Sequence, residues 1–511
     1  MAVRWVPRRE WKAIAALMAV AWAYGVKEIA WADEDDDSPG VETTVRARSE
    51  SLTLVDVVDL RRWRPDTLAV SPDGTRMAYV LFDGPSGRIV IDGRAGTSYA
   101  GFGAKPVFSA DSRHVAYLAM NAQKLWFVVT DGIESREKYS TVQGHAGVFP
   151  NLQWSLDGRE LAYISSVDAN GALKQVVVAD HVEGRKYDEI AGLAMDPKGE
   201  RVAYAARTGN QWAVVVDGKE GPRHDGVLAT SPVFSPDGRH VAYGAQEGRR
   251  FFVVIDGKRG RDYDNLGGAL LFAPDSKRLV YAPGVGRRRA VVVGDEELGL
   301  FERVDDGGFA FSRDGRHLAF KAGDATSWFV VVDGNKGLSY RGVGRPVFMP
   351  DGRVAHSACD QCGGTMEAPA QFVVVGGRRI GAAYADIADP IVGSSDGRRV
   401  AFVAKRGAAA FVVVDSREQR SYASIVAQSL RFSPDGQDLV YAASTASGKY
   451  VVVDSDQEGT AFDAVGLRGS ECAFPVPSQY CGWRFERDGS FAYLAWQRDR
   501  VYLVRSSPRS P

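Results

Sequence analysis

The stretch Pro232-Val-Phe-Ser-Pro-Asp-Gly-Arg-His-Val-Ala-Tyr243 carries the pattern that decides the fold. Within it, Ser235-Pro-Asp-Gly238 is typical of a tight turn, because Pro fixes φ at the second turn position and Gly accepts a positive φ. After the turn, Val241 and Tyr243 fall on one face of an extended chain and His240 falls on the other. The stretch therefore predicts two short strands joined by a turn.

Relatives of this stretch recur along the whole chain at intervals of 37 to 53 residues. A period near forty with strand-like content is typical of four-stranded propeller blades. The turn residue before or at the Gly marks each copy: Asp73, Asp111, Asp157, Lys198, Asp237, Asp275, Asp314, Asp351, Asp396, Asp435 and Asp488. We therefore expect an all-β chain, a β-propeller built from about eleven four-stranded antiparallel blades.

The rest of each copy supplies two more strands. In the copy above, Phe251–Ile255 is an apolar run ended by the hairpin signal Asp256-Gly257, and Asp262–Leu266 is expected to be a polar fourth strand. The third strands of the other copies are also continuous apolar runs. Both faces of such a strand are apolar, so the neighbouring blade on each side must cover it. Aromatic residues five positions before the strand-ending Asp are expected to pack between blades: Trp126, Trp212, Phe251 and Trp328.

The last copy offers only three strands before the chain ends. The strand-like segment Leu52–Leu60 precedes the first copy, and we predict that it pairs beside Arg500–Val504 as the missing outer strand, because closure removes exposed edges. Propellers typically hold about four to eight blades, so two tandem propellers are expected for eleven copies, with a boundary that the repeats do not define. One large ring is the alternative.

The N-terminus differs from the repeats. Arg4, Arg8, Arg9 and Lys12 precede an apolar run, and Ala30-Trp-Ala32 provides small residues before a break, so residues 1–32 are predicted to be a signal peptide. Its apolar run is too short to span a membrane comfortably, although retention as an anchor stays open. Residues 33–51 are expected to form an acidic flexible linker, and residues 52–508 form the repeat region. Arg8-Arg9 also allows twin-arginine export.

Four cysteines follow the predicted cleavage point: Cys359, Cys362, Cys472 and Cys481. In an exported chain an even number favours two local disulfides, Cys359 with Cys362 and Cys472 with Cys481. The first pair is also compatible with a redox pair or with half of a metal site, and a four-Cys zinc site would need both pairs to converge. We expect no metal and no cofactor.

Several copies of the turn motif resemble the PD40 (WD40-like) repeat of TolB-type bacterial propellers. The resemblance rests on Phe234–Tyr243, Phe432-Ser-Pro-Asp-Gly436 and Val70-Ser-Pro-Asp-Gly74, and it covers about residues 52 to 505. It implies a binding module in the periplasm, although related propellers also form the non-catalytic gate of prolyl-oligopeptidase-like enzymes. This chain has nearly twice the blades of TolB and no room for its N-terminal α/β domain, so the resemblance says little about the partner.

Two segments match catalytic or metal-binding motifs only in part. Gly393-Ser-Ser-Asp-Gly397 matches the G-x-S-x-G nucleophile elbow, but it lies in register with the blade turns and no helical pattern follows. Asp454–Gly459 begins like a calcium loop but lacks the closing Glu. Three histidines share one repeat position and are expected to be structural, whereas the others are expected in loops or at loop borders. The first group is His114, His240 and His317; the second is His145, His181, His224 and His356.

Loop positions favour one face of the propeller for binding. In a four-stranded meander, the turns between strands one and two and between strands three and four lie on one face. The loops between strands two and three, and between blades, lie on the other face, and they carry the length variation and both Cys pairs. Neutral drift in loop length is the alternative. The candidate binding residues on these loops are His145, Phe149, Arg287, Arg288, Arg289, Gln361, Met366, Phe474 and Tyr480.

Three functions are compatible with this pattern. The first is a non-catalytic, periplasmic or extracellular scaffold that binds a protein or an envelope glycan. The second is a propeller-type lyase or hydrolase with an axial carboxylate site, which the mostly apolar first strands disfavour. The third is a structural envelope protein. The formal net charge of -1 gives no reason to expect nucleic-acid binding, and no membrane insertion is expected after removal of the signal.

Overall fold

The computed structural model describes residues 49–507 except 104, 137–138, 141–151, 170–171, 306, 363–369 and 466–484, and the side chains of Pro65, Ser140 and Asp168. The predicted signal peptide and residues 33–48 of the predicted linker lie outside this part of the chain. Within the described residues the secondary structure is all β, apart from one short 3-10 helix, Pro65–Thr67. No described helix is long and apolar enough to cross a membrane.

Eleven small antiparallel sheets follow one another along the chain, and we number them as blades 1 to 11. Blade 1 contains strands Ala69–Val70, Met77–Asp83, Ser86–Ile91 and Arg94–Tyr99. Blade 2 contains Gly101–Phe102, Val107–Phe108, Val115–Met120, Leu125–Thr130, Ile133–Glu134 and Tyr139–Ser140. Blade 3 contains Gln153–Trp154, Leu161–Ala169, Ala172–Ala179 and Val182–Glu183. Blade 4 contains Glu189–Met195, Val202–Thr208, Gln211–Val216 and Lys219–His224.

The middle blades divide some strands into two short segments. Blade 5 contains Gly226–Val227, Val233–Phe234, Val241–Glu247, Arg250–Ile255 and Lys258–Arg259. Blade 6 contains Asn265–Leu266, Leu271–Phe272, Leu279–Tyr281, Pro283–Val285, Arg288–Val293 and Glu296–Phe301. Blade 7 contains Arg303–Val304, Ala310–Phe311, Leu318–Gly323, Trp328–Val332 and Asn335–Tyr340. Blade 8 contains Gly342–Val343, Val347–Phe348, Val354–Cys359, Gln371–Val375 and Arg378–Tyr384.

The last three blades complete the series. Blade 9 contains Asp386–Gly393, Val400–Arg406, Ala409–Val414 and Arg417–Tyr422. Blade 10 contains Ser424–Phe432, Leu439–Ser444, Tyr450–Asp454 and Gln457–Glu458. Blade 11 contains Ala464–Val465, Phe491–Gln497 and Arg500–Ser506, and its outer strand is Glu50–Val57 from the other end of the chain.

The predicted closure is confirmed. Glu50–Val57 pairs antiparallel with Arg500–Ser506, with Leu52 opposite Val504 and Leu54 opposite Tyr502. A register shift between Leu54 and Asp56 marks a bulge in the closing strand. The N-terminal strand thus supplies the fourth strand of blade 11. It covers Arg500–Ser506, which would otherwise be an exposed edge of the sheet.

The eleven blades form one ring, which corrects the expectation of two tandem propellers. Each buried core cluster joins two consecutive blades, and the series runs without a break from blades 1 and 2 to blades 10 and 11. A last cluster joins blade 11 to blade 1, where Leu494 and Val501 pack with Met77 and Tyr79. Residues 47–511 accordingly belong to one compact unit.

Alternate residues of the third strands enter different cores, as their apolar pattern predicts. Val412 packs in the core between blades 9 and 10, whereas the next residue, Val413, packs in the core between blades 8 and 9. The aromatic prediction holds for Trp126 and Trp328, which pack in the cores between blades 2 and 3 and between blades 7 and 8. The prediction that Asp262–Leu266 forms the fourth strand holds only in part. Tyr263 bridges the third strand of blade 5 as predicted, but the fourth-strand segment is Lys258–Arg259 and Asn265–Leu266 begins blade 6.

The repeated turns also join the blades. Ser235 Oγ donates to Asp237 Oδ1 at 2.6 Å, and this bond lowers the pKa of Asp237. Arg201, at the start of a second strand, pairs with Asp217 at 3.0 Å and donates to the carbonyl oxygen of Gly238 in the next blade at 2.9 Å. The turn motif that marks the repeat is therefore also a contact between neighbouring blades.

Candidate functional site

The first strands lie at the inner edge of the ring, because first strands of neighbouring blades contact one another directly. The meander order then assigns the two faces. We call the face that carries the turns between strands one and two and between strands three and four the turn face. The opposite face, which carries the connections between strands two and three and between blades, is the loop face.

Two adjacent hairpins on the loop face, in blades 5 and 6, have two-residue turns. Glu247 pairs with Arg250 across Gly248-Arg249, and Val285 pairs with Arg288 across Gly286-Arg287. Gly248 and Gly286 take positive φ values of 55° and 59°, which a tight hairpin turn requires. Both tips are therefore short and have a defined backbone conformation.

An aspartate from the preceding inter-blade connection anchors each tip. Gly248 N donates to Asp225 Oδ2 at 2.7 Å, and Gly286 N donates to Asp264 Oδ2 at 2.8 Å. Asp188 anchors the blade 4 tip in the same way, accepting from Gly209 N at 2.7 Å. Because a side chain fixes each tip to the ring, the residues at the tips are held in place.

Four exposed arginines occupy these two tips: Arg249, Arg250, Arg287 and Arg288. We call them the arginine tips. Asp264 shows that they are neighbours, since it anchors the blade 6 tip and lies 3.6 Å from Arg250 of the blade 5 tip. Within the described chain, the other three arginines form no ion pair. The predicted residues Arg287 and Arg288 thus belong to a basic patch that also includes Arg249 and Arg250.

Acidic residues near the arginine tips are already engaged. Glu247 pairs with Arg259 and with His224, whose Nδ1 lies 3.2 Å from Glu247 Oε1. Asp225 accepts from a backbone amide, and Asp264 does so as well. The charge of Glu247 is offset by Arg259, and the two carboxylates Asp225 and Asp264 face four guanidinium groups, so the patch keeps an excess of positive charge.

The remaining predicted binding residues have different outcomes. Arg289 is half-buried, and its Nε donates to the carbonyl oxygen of Ala282 at 3.1 Å, so this side chain supports the hairpin. Gln361 is exposed on the connection after the second strand of blade 8. His145, Phe149, Met366, Phe474 and Tyr480 lie outside the described residues.

A second group of charged side chains lies on and beside the inner strands of blades 7 to 9. Lys321 Nζ lies 3.7 Å from Asp305 Oδ2. Arg345 lies between the two first-strand segments of blade 8, and Asp389 lies in the first strand of blade 9. Asp389 is in contact with solvent at the surface of the ring. Even so, desolvation by the surrounding protein raises the pKa of its carboxyl group, and this effect outweighs the lowering by the positive charges of Arg345 and Lys321. The expectation of mostly apolar first strands does not hold at this position.

The disulfide prediction can be followed at only one of the two Cys pairs. The Sγ atoms of Cys359 and Cys362 lie at disulfide distance, at the end of the second strand of blade 8. Cys472 and Cys481 lie outside the described residues. Among the residues that the structure describes, no group of three His, Cys, Asp or Glu side chains is arranged to hold a metal ion.

The nucleophile and calcium motifs are turns of the repeat. Ser394 Oγ donates to Asp396 Oδ1 at 2.5 Å, as in the other Ser-x-Asp turns, and Ser395 is exposed in that turn. Ser455 and Asp456 take positive φ values of 45° and 72° in the hairpin after the third strand of blade 10.

Three histidines have the structural role that the sequence predicted, whereas His356 does not lie where it was predicted. His114, His240 and His317 are structural, because each pairs at 2.7 Å with the Asp that ends the third strand of its own blade. The expectation of a loop or loop border is wrong for His356, which lies buried inside the strand Val354–Cys359.

No family model and no curated protein matches this chain. Solved structures do match it, and one is a eukaryotic initiation factor, with 14% identity, 63% of this chain and 89% of that chain covered, and a TM-score of 0.36. An oligogalacturonate lyase in complex with manganese matches with 14% identity, 63% and 97% coverage and a TM-score of 0.30. TolB from Acinetobacter baumannii matches with 13% identity, 64% and 89% coverage and a TM-score of 0.24. Similarity at this level indicates neither an activity nor a partner.

Proposed function

We propose that this chain is an exported, non-catalytic β-propeller that binds a protein with an acidic surface through its loop face. The arginine tips carry the proposal. Four exposed guanidinium groups on two neighbouring, anchored hairpins form a rigid basic patch, and arginine is well suited to bidentate binding of carboxylates. Binding residues are commonly found on loops that a rigid scaffold positions.

The test removes the four positive charges of the arginine tips and compares the effect on binding with that of removing four arginines from the turn face. We expect R249A/R250A/R287A/R288A to weaken binding of a fluorescent poly-glutamate peptide roughly 30-fold at low salt, at about 0.5 kcal/mol per exposed ion pair. The matched control, R159A/R239A/R316A/R398A, removes four highly exposed arginines from the turn face and leaves binding unchanged. Fluorescence anisotropy measures both.

An equal loss in both variants contradicts the proposal, because it indicates a response to net charge alone. Absence of poly-glutamate binding to the unmodified chain contradicts it as well. A polyuronate is the second probe: binding of the polyuronate at the arginine tips without binding of the peptide favours an envelope glycan over a protein partner.

A second candidate function is a propeller-type lyase or hydrolase, and Asp389 favours it. A carboxyl group with a raised pKa next to cationic side chains at an inner strand has the properties of a general acid or base. If the chain cleaves neutral or acidic oligosaccharides, we expect Asp389→Asn to reduce the rate about a hundredfold or more. Asp386→Asn in the same strand is the control and keeps the rate. Absence of turnover by the unmodified chain, or an active Asp389→Asn variant, contradicts this function.

A further inference from the structure

A cavity of about 370 Å³ lies between blades 7 and 8, separate from the arginine tips and from Asp389. Its walls are mostly apolar and come from both blades: Val330, Val332, Leu338 and Tyr340 from blade 7, and Val354 and Val374 from blade 8. Ligand pockets in proteins commonly begin at about 300 Å³ and combine apolar walls with a few polar groups. The one histidine that lines this cavity is His356.

Two departures of blade 8 from the repeat accompany this cavity. Met349-Pro-Asp-Gly-Arg-Val354 is one residue shorter than the corresponding stretch of blade 5, and Gly376-Gly377 replaces the usual Asp-Gly. Arg353 therefore has no strand-ending Asp to pair with, and its Nε pairs with Asp351 of its own turn at 2.5 Å. Like Arg201, it also donates to a glycine carbonyl oxygen of the next blade, that of Gly397, at 2.8 Å. A Cβ at Gly352 or at Gly377 would meet no atom within 4 Å, so this end of the cavity is open space.

His356 also departs from the repeat. It occupies the second-strand position at which every other blade carries Tyr or Phe: Tyr79, Tyr117, Tyr163, Tyr204, Tyr243, Tyr281, Phe320, Phe402, Tyr441 and Tyr493. Its imidazole is smaller than those rings and packs edge-on against Tyr340, with ring centroids 6.2 Å apart. The substitution thus places an imidazole nitrogen in the wall of the cavity, where the other blades carry a Tyr or Phe ring.

The hydrogen bonding of His356 leaves one nitrogen for a ligand. The side chain is only 7% exposed, and Nδ1 lies 3.0 Å from the carbonyl oxygen of Ser357, to which it donates. Burial lowers the pKa of His356, so the ring is neutral at neutral pH and Nε2 carries a lone pair. No described residue donates to Nε2, and an acceptor so placed favours a ligand that brings a donor.

The rim of the cavity favours a neutral ligand. Lys336 is the one charged residue among those that line the described cavity, and its Nζ lies 3.7 Å from Asp324 Oδ2 and over the ring of Phe329. Its charge is therefore already balanced. The remaining walls offer apolar surface, and Asn335 Nδ2 donates to the carbonyl oxygen of Asp333.

We propose that this cavity binds a small, neutral phenol, whose hydroxyl donates a hydrogen bond to Nε2 of His356 while its ring packs among the valines of blades 7 and 8. The site is independent of the proposed function on the loop face.

The test uses two probes of nearly the same shape, 4-ethylphenol and 4-ethyltoluene, with the full chain and isothermal titration calorimetry. We expect 4-ethylphenol to bind about fivefold more tightly, the value of one net hydrogen bond. His356→Phe, which places the residue of Phe320 and Phe402 at this position, removes that preference. His224→Phe is the control, because His224 is also buried but both its ring nitrogens have partners.

A second measurement does not depend on the stability of a variant. Nitrogen NMR of the histidine rings in the unmodified chain is expected to show a shift of Nε2 of His356 with 4-ethylphenol and a much smaller shift with 4-ethyltoluene. Equal affinity for the two probes, no binding of either, or a preference that persists in His356→Phe overturns the proposal.

Discussion

Gly397→Ala is expected to lower the free energy of unfolding by about 2 kcal/mol more than Gly257→Ala, because it adds a steric clash to the same backbone strain. Both glycines adopt a left-handed conformation, with φ values of 71° and 79°. At Gly397 a methyl carbon would lie 2.8 Å from the backbone nitrogen of Asp351 in the preceding blade, and closer still to its Cβ. The clash therefore involves backbone that cannot move without shifting the turn of blade 8.

Gly257 is the matched control because a Cβ there would meet nothing within 4 Å. Alanine at this position is expected to cost only the strain of the left-handed backbone, about 1 to 2 kcal/mol. Urea unfolding followed by tryptophan fluorescence measures both variants. If the two midpoints fall together, the turn glycine is needed only for its φ value, and the role of the turn in joining neighbouring blades is wrong.

The fold was predictable because its signals are local and repeated. Ser235-Pro-Asp-Gly238 specifies a turn from its own residues, and eleven related turns reinforce one another. The pairing of the N-terminal strand followed from a count, since the last copy lacked one strand. The number of rings did not follow, because it depends on the angle between neighbouring sheets. Side-chain packing between blades sets that angle, and no single residue encodes it.

The candidate sites were less predictable, because they depend on which loops become neighbours. Arg287 and Arg288 were predicted to be binding residues, whereas Arg249 and Arg250 were not. Only the position of Asp264, beside both tips, shows that the four arginines are neighbours. A usable signal was present in the sequence. An aromatic residue or His followed by Asp ends several blades and marks the side chain that anchors the next tip: Tyr187-Asp188, His224-Asp225 and Tyr263-Asp264.

The other two candidate sites, at His356 and at Asp389, were not predicted, because each is formed by residues of neighbouring blades. His356 was expected in a loop or at a loop border. Alignment of Val354-Ala-His356 with Val241-Ala-Tyr243 would have placed it in the second strand, where the structure has it. Asp389 lies in the first strand of blade 9, where mostly apolar or small residues were expected, and its neighbours Arg345 and Lys321 come from other blades. Such clusters form across repeats, so a search within one repeat does not find them.

The closing strand leads to the second prediction with a large effect. Glu50 Oε1 accepts from the Tyr493 hydroxyl at 3.0 Å and Glu50 Oε2 accepts from Thr460 N at 3.0 Å, which joins the N-terminal strand to blades 10 and 11. Asp56 Oδ2 accepts from the Tyr79 hydroxyl of blade 1 at 2.7 Å. Burial, reinforced by these carboxylates, raises the pKa of both tyrosines, so both hydroxyls stay protonated as donors.

The double variant Glu50→Ala/Asp56→Ala is expected to lower the free energy of unfolding by roughly 3 to 4 kcal/mol, since it removes three hydrogen bonds to carboxylates and leaves two buried hydroxyls without an acceptor. Hydrogen exchange is expected to speed up in Arg500–Ser506, where the closing strand pairs. Asp295→Ala/Glu296→Ala, an equal charge change at exposed positions of blade 6, is the control. If both variants unfold at the same urea concentration, backbone pairing alone closes the ring and the two carboxylates contribute nothing to it.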